Sequence, residues 1–516
     1  MFQPFFDIIK RSSEKYGNAK AIGSRTLIKT HQEVKKVKKM VDGEQQEVDK
    51  KWTYFELSEY KYMSFSEYEN LILQIGAGYR KLGLKKEDRV HIFAATSAHW
   101  LASAHGAVSQ SMPIVTAYDT LGEEGLKHSL NEIKQENIDN LKKAHEKLKI
   151  LSFEELRKLG EENPVEPVPP EAEDLCCIMY TSGSTGPPKG VPLKHKAVVA
   201  AVAGVNVIVE PYLGPVGVPA VWESVKKGIV AKVNGGSPVV KNLFWGALWA
   251  KSNLLRYGLP GAEILDALVF KKVKEATGGK LRICMNGGGP IAKGTQRFIS
   301  MAITPMINGY GLTETTAMGA LMDPMEWTDE ALGDIPGSIE IKLVDFPDAG
   351  YYATNKPNPQ GEIWIRGDSV MEERPSQHYF DRKKNLVKTQ NGEYIALEKL
   401  ESIYRSATVV ANICVYADQQ RTKPVALIVP AEPALKKLAE RIGVEGSSIE
   451  ELVHEKKIQD AVLKELQQAG KSGGLSGIEI IEGVVLGLVT SAQKLQRKKI
   501  LEKFKKEVDA AYARND

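Results

Sequence analysis

Apolar residues in this chain follow two rhythms, and the alternation between them sets the first expectation of architecture. From Ser64 to Leu84 (SFSEYENLILQIGAGYRKLGL), Leu71, Ile72, Ile75 and Leu82 fall on one side of a helical wheel, and Gly83 closes the segment. Val90 to Ala95 reads as a short strand, His99 to Gln110 as a helix and Met112 to Ala117 as another strand. Leu175 to Tyr180 suits a buried strand, and Lys194 to Ile208, rich in Ala and Val, suits a helix. Two amphipathic helices follow at Trp222–Val233 and Val239–Trp249. Then come a strand running into glycines (Leu281 to Pro290) and strands at 338–345 and 361–366. Strands and helices in alternation predict a parallel sheet with helices on its faces.

The remaining segments are more polar. Residues 1–30 predict a short amphipathic helix and a strand, and the charge-dense 31–51 a solvated hairpin or loop. Residues 123–150 predict a polar helix, and 160–173 (GEENPVEPVPPEAE) a linker. After Asp381 the rhythm changes to turn, helix, strand, turn and strand. Helices at 433–442 and 457–469, an apolar strand at 478–489 and a basic tail helix complete the chain. The expected fold is α/β: a large N-terminal domain (1–380) of parallel-rich sheets flanked by helices, and a small C-terminal α+β domain (381–516).

Composition narrows the classes without choosing among them. With 516 residues, 42% hydrophobic and 26% charged, the chain is that of a globular protein with large cores. A net charge of +4 gives no case for nucleic-acid binding. The four cysteines, Cys176, Cys177, Cys284 and Cys414, have no metal spacing, and buried free thiols in a reducing compartment are expected. No apolar run is long enough to cross a membrane, and no signal peptide opens the chain, so a cytoplasmic location is expected.

The chemistry concentrates in DLCCIMYTSGSTGPPKGVP, residues 174–192. Glycines at 183 and 186 let the backbone turn tightly and bring N–H groups close to an anion. Ser182, Ser184, Thr185 and Lys189 add hydroxyls and one positive charge, the donors a polyphosphate needs. The Gly-Lys-Ser/Thr ending of a Walker A loop is missing. Further on, Asn308-Gly309-Tyr310-Gly311-Leu312-Thr313-Glu314-Thr315 offers glycines along which a flat ring can slide, an aromatic face at Tyr310, a hydroxyl donor at Thr313 and a hard carboxylate at Glu314. Gly287-Gly288-Gly289-Pro290 is a third glycine turn. Two basic segments remain, DRKKNLVK (381–388) and the KLQR that begins at Lys494. Taken alone, each reads more simply as solvated surface.

In this order the segments resemble the signatures of the acyl-adenylate-forming (AMP-binding) enzyme family. Stretches such as AYDTLGEEGLKHSL, GVPAVWESVKKGIV and NICVYADQQRTKPVALIVP resemble its fungal-type long-chain fatty-acid–CoA ligases. The resemblance implies ATP-dependent conversion of a long-chain fatty acid to an acyl-adenylate and then to acyl-CoA, with ATP and CoA as co-substrates and Mg²⁺ as cofactor. It implies a phosphate loop at Thr181, Ser182, Gly183, Ser184, Thr185, Gly186 and Lys189. The nucleotide pocket would comprise Gly289, Asn308, Gly309, Tyr310 and Thr313, and Mg²⁺ would sit at Thr181 and Glu314. Asp381 would be the hinge of a mobile C-terminal lid, with Arg382, Lys384 and Lys388 on its phosphate side. Lys494 would serve adenylation, so that Lys189, Glu314 and Lys494 are the catalytic set, and Trp222 would border the fatty-acid pocket. Peripheral contact with endoplasmic reticulum or lipid droplets, through the basic tail from Lys494, is a further implication.

The chain is shorter than the family at discrete joints. Segments are missing after Asn131, after Pro215, after Val370 or Met371, and before Leu488. The third joint takes with it the aspartate that would hold the ribose hydroxyls. An active ligase and an impaired relative that binds nucleotide or acyl chain weakly both remain open. A peptide-synthetase domain is disfavoured, because no carrier-protein motif follows.

Overall fold

The computed structural model describes residues 5–41, 44–94, 96–117, 151–181, 189–209, 216–347, 350–372, 386–388, 394–418, 421–444, 449–487 and 504–513. The helix expected at 123–150 lies outside these residues.

The N-terminal helix Phe5–Tyr16 leads into β1 (Lys20–Ser24), and the charge-dense stretch forms a long hairpin of β2 (Leu27–Val41) and β3 (Glu44–Leu57). The pair β1 and β4 (Lys61–Ser64) is antiparallel. Ser64 then starts the helix Phe65–Lys81 with a capping box: its hydroxyl accepts from Glu67 N at 3.2 Å, and its own N–H donates to Glu67 Oε2 at 2.7 Å. A second capping box, at Ser152 and Glu155, starts the helix Phe153–Glu161, which the apolar pattern did not reveal. The two helices meet backbone to backbone. A Cβ on Gly160 would fall 1.7 Å from Gln74 O, and one on Gly78 2.5 Å from Leu156 O. Glycine is obligatory at that crossing.

The first main sheet has the order β5 (Val90–Phe93), β6 (Ile114–Ala117), β7 (Leu175–Thr181), β8 (Lys189–Lys194). Its first three strands are parallel, and β8 closes it antiparallel to β7. Residues 189–194 are therefore a strand, and the helix His195–Val209 begins only after it. The linker at 160–173 runs along the end of the helix Ala98–Val108: Ser111 Oγ donates to Val168 O at 2.7 Å, and Val168 N to Ser109 O at 2.9 Å.

The second main sheet repeats the plan. In it β9 (Val216–Gly217), β10 (Cys284–Asn286) and β11 (Met306–Tyr310) are parallel, and β12 (Ala320–Leu321) is antiparallel to β11. The helices Pro219–Asn234, Pro238–Arg256 and Lys293–Ala302 cover it around a core of Trp222, Phe244, Phe270, Cys284, Phe298, Ile299 and Met306. Between residues 262 and 276 the chain is helical with a π-helical turn at Asp266–Phe270. A hairpin of β13 (Ile339–Val344) and β14 (Glu362–Gly367) follows.

Beyond residue 386, β15 (Leu386–Lys388) pairs with β16 (Tyr394–Ala396), while β17 (Val410–Tyr416), β18 (Val425–Pro430) and β19 (Gly483–Leu486) form a three-stranded sheet. Its core is drawn from this region, with Tyr404, Ile413, Ile428, Leu435, Val462 and Leu466 fully buried. The strand expected at 478–489 shortens to β19, because Glu479 folds the preceding residues into a turn by accepting from Ser476 N at 2.9 Å. All four cysteines are buried and free, and burial raises the Cys284 thiol to about 11. No described helix is long and apolar enough to cross a membrane.

Candidate active site

Thr181 and Lys189 are register partners at the loop end of the β7–β8 hairpin, the last residue of one strand and the first of the next. The loop residues Ser182, Gly183, Ser184, Thr185 and Gly186 lie outside the described residues, and Thr181 and Lys189 are described by backbone only. The strand β8 packs against the short 3₁₀ turn Thr313–Thr315. The hairpin that would cradle phosphates and the turn carrying Glu314 are thus neighbours, although 125 positions separate Lys189 from Glu314 in the sequence.

That turn is built under constraint. Thr316 and Ala317 both take left-handed backbone, at φ 52° and 64°, which is costly for non-glycine residues and concentrates at functional sites. Ala317 N donates to Leu312 O at 2.7 Å, Met371 N to Glu314 O at 2.9 Å, and Thr316 Oγ1 to Ser369 O at 2.7 Å. Gly311 is obligatory, because a Cβ there would sit 2.0 Å from Ala317 O. Gly319 leaves room for the Tyr310 ring, which would lie 2.6 Å from a Cβ at that position. These bonds fix the half-buried Glu314 through its backbone.

Asn308 and the glycine turn are held by a chain of buried amides. Asn286 Nδ2 donates to Asn308 Oδ1 at 3.2 Å and to Gly289 O at 3.3 Å. Asn308 Nδ2 donates to Gln296 Oε1 at 3.0 Å, and Gln296 Nε2 to the carbonyls of Met306 and Thr328. Gly287 N is tied to Gly217 O at 3.1 Å, and Gly288 has φ +75°. Asn308 and Gly289 belong to recognisable motifs, whereas Asn286 and Gln296 do not. Their only signal was a polar residue ending an apolar strand and another on a helix's buried face.

Trp222 is buried in the core beside the second sheet, with its indole so close to Gly217 that a Cβ would meet it at 2.8 Å. Its Nε1 has no hydrogen-bond partner among the described residues, and neither has the carboxylate of Glu223 next to it, which acts on Lys226 and Lys227 through charge. One turn on, Lys227 Nζ donates to Arg405 O at 2.9 Å and Val410 O at 2.5 Å, joining this helix to the region beyond residue 386. Burial lowers the Lys227 ammonium to about 8. Ser402 Oγ donates to Pro290 O at 3.2 Å, so the same region also touches the GGGP turn.

A four-charge cluster marks the third joint: Lys194 and Lys196 each bridge Glu173, both at 2.8 Å, and both also pair with Glu372. The candidates Asp381, Arg382, Lys384 and Lys494 lie outside the described residues, and Lys388 is described by backbone alone, in β15. The tail helix Lys505–Ala513 is described, and it packs Val508, Ala511 and Tyr512 against Cys414, Val425 and Val485.

Residues 42–373 match the model of the AMP-binding enzyme family. The chain is 41% identical to long-chain-fatty-acid–CoA ligase 1 of Schizosaccharomyces pombe, over 98% of this chain and 94% of that one. It is 38% identical to long-chain-fatty-acid–CoA ligase 1 of Saccharomyces cerevisiae, again over 98% and 94%. The first of these alignments spans 639 positions against 516 residues here, so the relative carries internal segments that this chain lacks. Among solved structures, the adenylation domain of a carboxylate reductase from Mycobacterium chelonae is similar at TM-score 0.70 and 20% identity, covering 99% of this chain and 91% of that one. The corresponding domain from Segniliparus rugosus, solved with AMP and a carboxylic acid, is similar at TM-score 0.68 and 17% identity, over 100% and 95%. Sequence and fold together establish that this chain belongs to the AMP-binding enzyme family.

Proposed function

We propose that this chain activates long-chain fatty acids to acyl-CoA through an acyl-adenylate. The observation that supports this reading is the packing of β8, the strand that follows the TSGSTGPPK signature, against the turn carrying Glu314, in a chain similar to ligases of that name. The fatty-acid carboxylate oxygen attacks the α-phosphorus of ATP. A P–O bond forms, the α–β anhydride bond breaks, and pyrophosphate leaves. The CoA sulfur then attacks the acyl carbonyl, the bond to AMP breaks, and the thiol proton passes to solvent. A free carboxylate is a poor acyl donor, whereas AMP is a good leaving group, so the two steps divide one difficult substitution.

Thr181 to Lys189 bind the phosphates through backbone N–H groups, hydroxyls and one ammonium. Gly289, Asn308, Gly309, Tyr310 and Thr313 receive the adenosine, with the amide chain through Asn286 and Gln296 keeping the strand ends in place. The donors at Thr181 and Glu314 are hard oxygens, which fits Mg²⁺. Among the described residues no three His, Cys, Asp or Glu side chains converge on one point, so substrate oxygens and water would complete its shell. Bound there, the metal would offset charge on the phosphates. Residues 381–516 act as a lid hinged at Asp381, with Arg382, Lys384 and Lys388 facing the phosphates and Lys494 neutralising charge at the α-phosphate during adenylation. Trp222 borders the acyl site. The enzyme works at the cytoplasmic surface of the endoplasmic reticulum or lipid droplets.

The test is fatty-acid-dependent ATP–pyrophosphate exchange with palmitate and Mg²⁺ on the full chain. Exchange above the no-acid background is expected, lost in Lys494→Ala while that variant still forms thioester from supplied acyl-adenylate. Absence of exchange from a folded, monodisperse sample would overturn the reading. Undiminished exchange in Lys494→Ala would remove that lysine from the mechanism.

A further inference from the structure

The basic tail helix spends its apolar face on its own domain, through Val508, Ala511 and Tyr512. The apolar surface that stays uncovered is elsewhere. On the helix Pro238–Arg256, Val239, Leu243, Gly246 and Ala250 recur at the spacing of one helical face, and Trp249 flanks them. Val239 and Trp249 are 75% and 72% exposed. The neighbouring stretch continues the pattern, with Leu259 and Ile264 exposed and Leu268 at 78%. The two are locked together by Lys251 Nζ, which bonds Asp266 Oδ1 at 2.5 Å. Single exposed apolar residues are ordinary, but a cluster of this size on packed elements marks an interaction surface.

Charge identifies the partner. Residues 232–280 hold eight lysines and arginines against three acidic residues, an excess of five, while the whole chain carries only +4. Lys241, Arg256, Lys271 and Lys272 are exposed in the same stretch of chain. Exposed apolar side chains with a tryptophan, in a stretch with an excess of cations, are the composition of a segment that lies in the headgroup layer of an anionic lipid surface.

We propose that the exposed face of Pro238–Arg256, together with Leu259, Ile264 and Leu268, docks on an anionic phospholipid surface. The choice of lipid over a protein partner rests on the fatty-acid reading above, because a long-chain acid partitions into bilayers and is most concentrated there. The apolar side chains enter the acyl boundary and the lysines meet lipid phosphates.

Vesicle flotation of the full chain tests this, using vesicles of phosphatidylcholine alone and of phosphatidylcholine with phosphatidylserine. The expected result is binding to the mixed vesicles that weakens with salt, reduced at least about tenfold in the triple variant Leu243→Gln, Trp249→Gln, Leu268→Gln. These side chains are exposed, so the variant should unfold at the parental denaturant midpoint. Lys271→Glu with Lys272→Glu should weaken binding to mixed vesicles and leave the weak binding to phosphatidylcholine unchanged. Equal binding by parent and triple variant would overturn the proposal. So would a parent that binds neither vesicle, including one whose dimer the triple variant dissolves, which would make a second copy the occupant. Vesicle binding lost in the triple variant of a chain that shows no ATP–pyrophosphate exchange would uphold the docking face and remove the ligase reading instead.

Discussion

Asn286 and Asn308 stand opposite each other in the parallel register of β10 and β11, and the Nδ2 of the first donates to the Oδ1 of the second at 3.2 Å. The bond lies at the carboxyl ends of the strands, where open α/β sheets bind their ligands. Asn308→Ala would strand Gln296 Oε1 and one proton of Asn286 in a buried site. An unmet buried polar group costs about 1–3 kcal/mol. Urea unfolding should show a loss of about 2 kcal/mol, accompanied by a raised KM for ATP. An unchanged midpoint would mean that the amide chain does not hold the strand ends.

Gly311 makes a sharper prediction. A Cβ there would meet Ala317 O at 2.0 Å, in a loop whose neighbours already occupy left-handed backbone. Gly311→Ala should cost at least about 1–3 kcal/mol, the usual penalty of overpacking, and should displace Glu314. Gly337 has open space around its Cβ position, so Gly337→Ala should change stability by no more than about 0.5 kcal/mol. Thermal unfolding of the two variants side by side decides the matter.

These two sites mark where the sequence was legible and where it was not. The strand β7, the helix after Ser64 and the glycine signatures stood out because periodicity and turn chemistry are local. The strand β8 was hidden, since its residues KGVPLK show no alternation and it exists through pairing with β7. The helix Phe153–Glu161 was missed although it carries a capping box, because its glycine contact with Gln74 is a tertiary fact. Thr313 and Glu314 could be named from their motif. That Met371 and Ser369 strap their turn, or that Asn286 and Gln296 support Asn308, depends on residues distant in the chain, and no local pattern encodes it.

The π-helical turn at Asp266 has a structural consequence of its own. Lys251 is nearly buried, with 7% of its side chain exposed, and is held by Asp266 and Met301 O. Burial depresses its ammonium, and the bond to Asp266 opposes that shift. Asp266→Ala would leave a buried charge uncompensated, which typically costs about 3–5 kcal/mol. Adding Lys251→Met should recover most of the loss, because the methionine fills the space without the charge. A double variant no more stable than Asp266→Ala would assign the cost to packing instead.

The acid limb of stability should follow two buried imidazoles. Burial lowers both His105 and His195 to about 4, against an ordinary value of 6.5, with Asp174 opposing the shift at His195. Tyr68 Oη sits 2.9 Å from His105 Nδ1, and His195 Nδ1 has no partner among the described residues. Both rings are neutral in the fold, whereas the unfolded chain takes up protons at each as the pH falls below 6.5. Stability is therefore fully present above about pH 6.5 and declines as the pH falls toward about 4, where the folded rings also charge. Urea midpoints measured across that window should fall more steeply for the parent than for His105→Gln with His195→Gln. Curves of equal slope would show that these two imidazoles do not govern the acid transition.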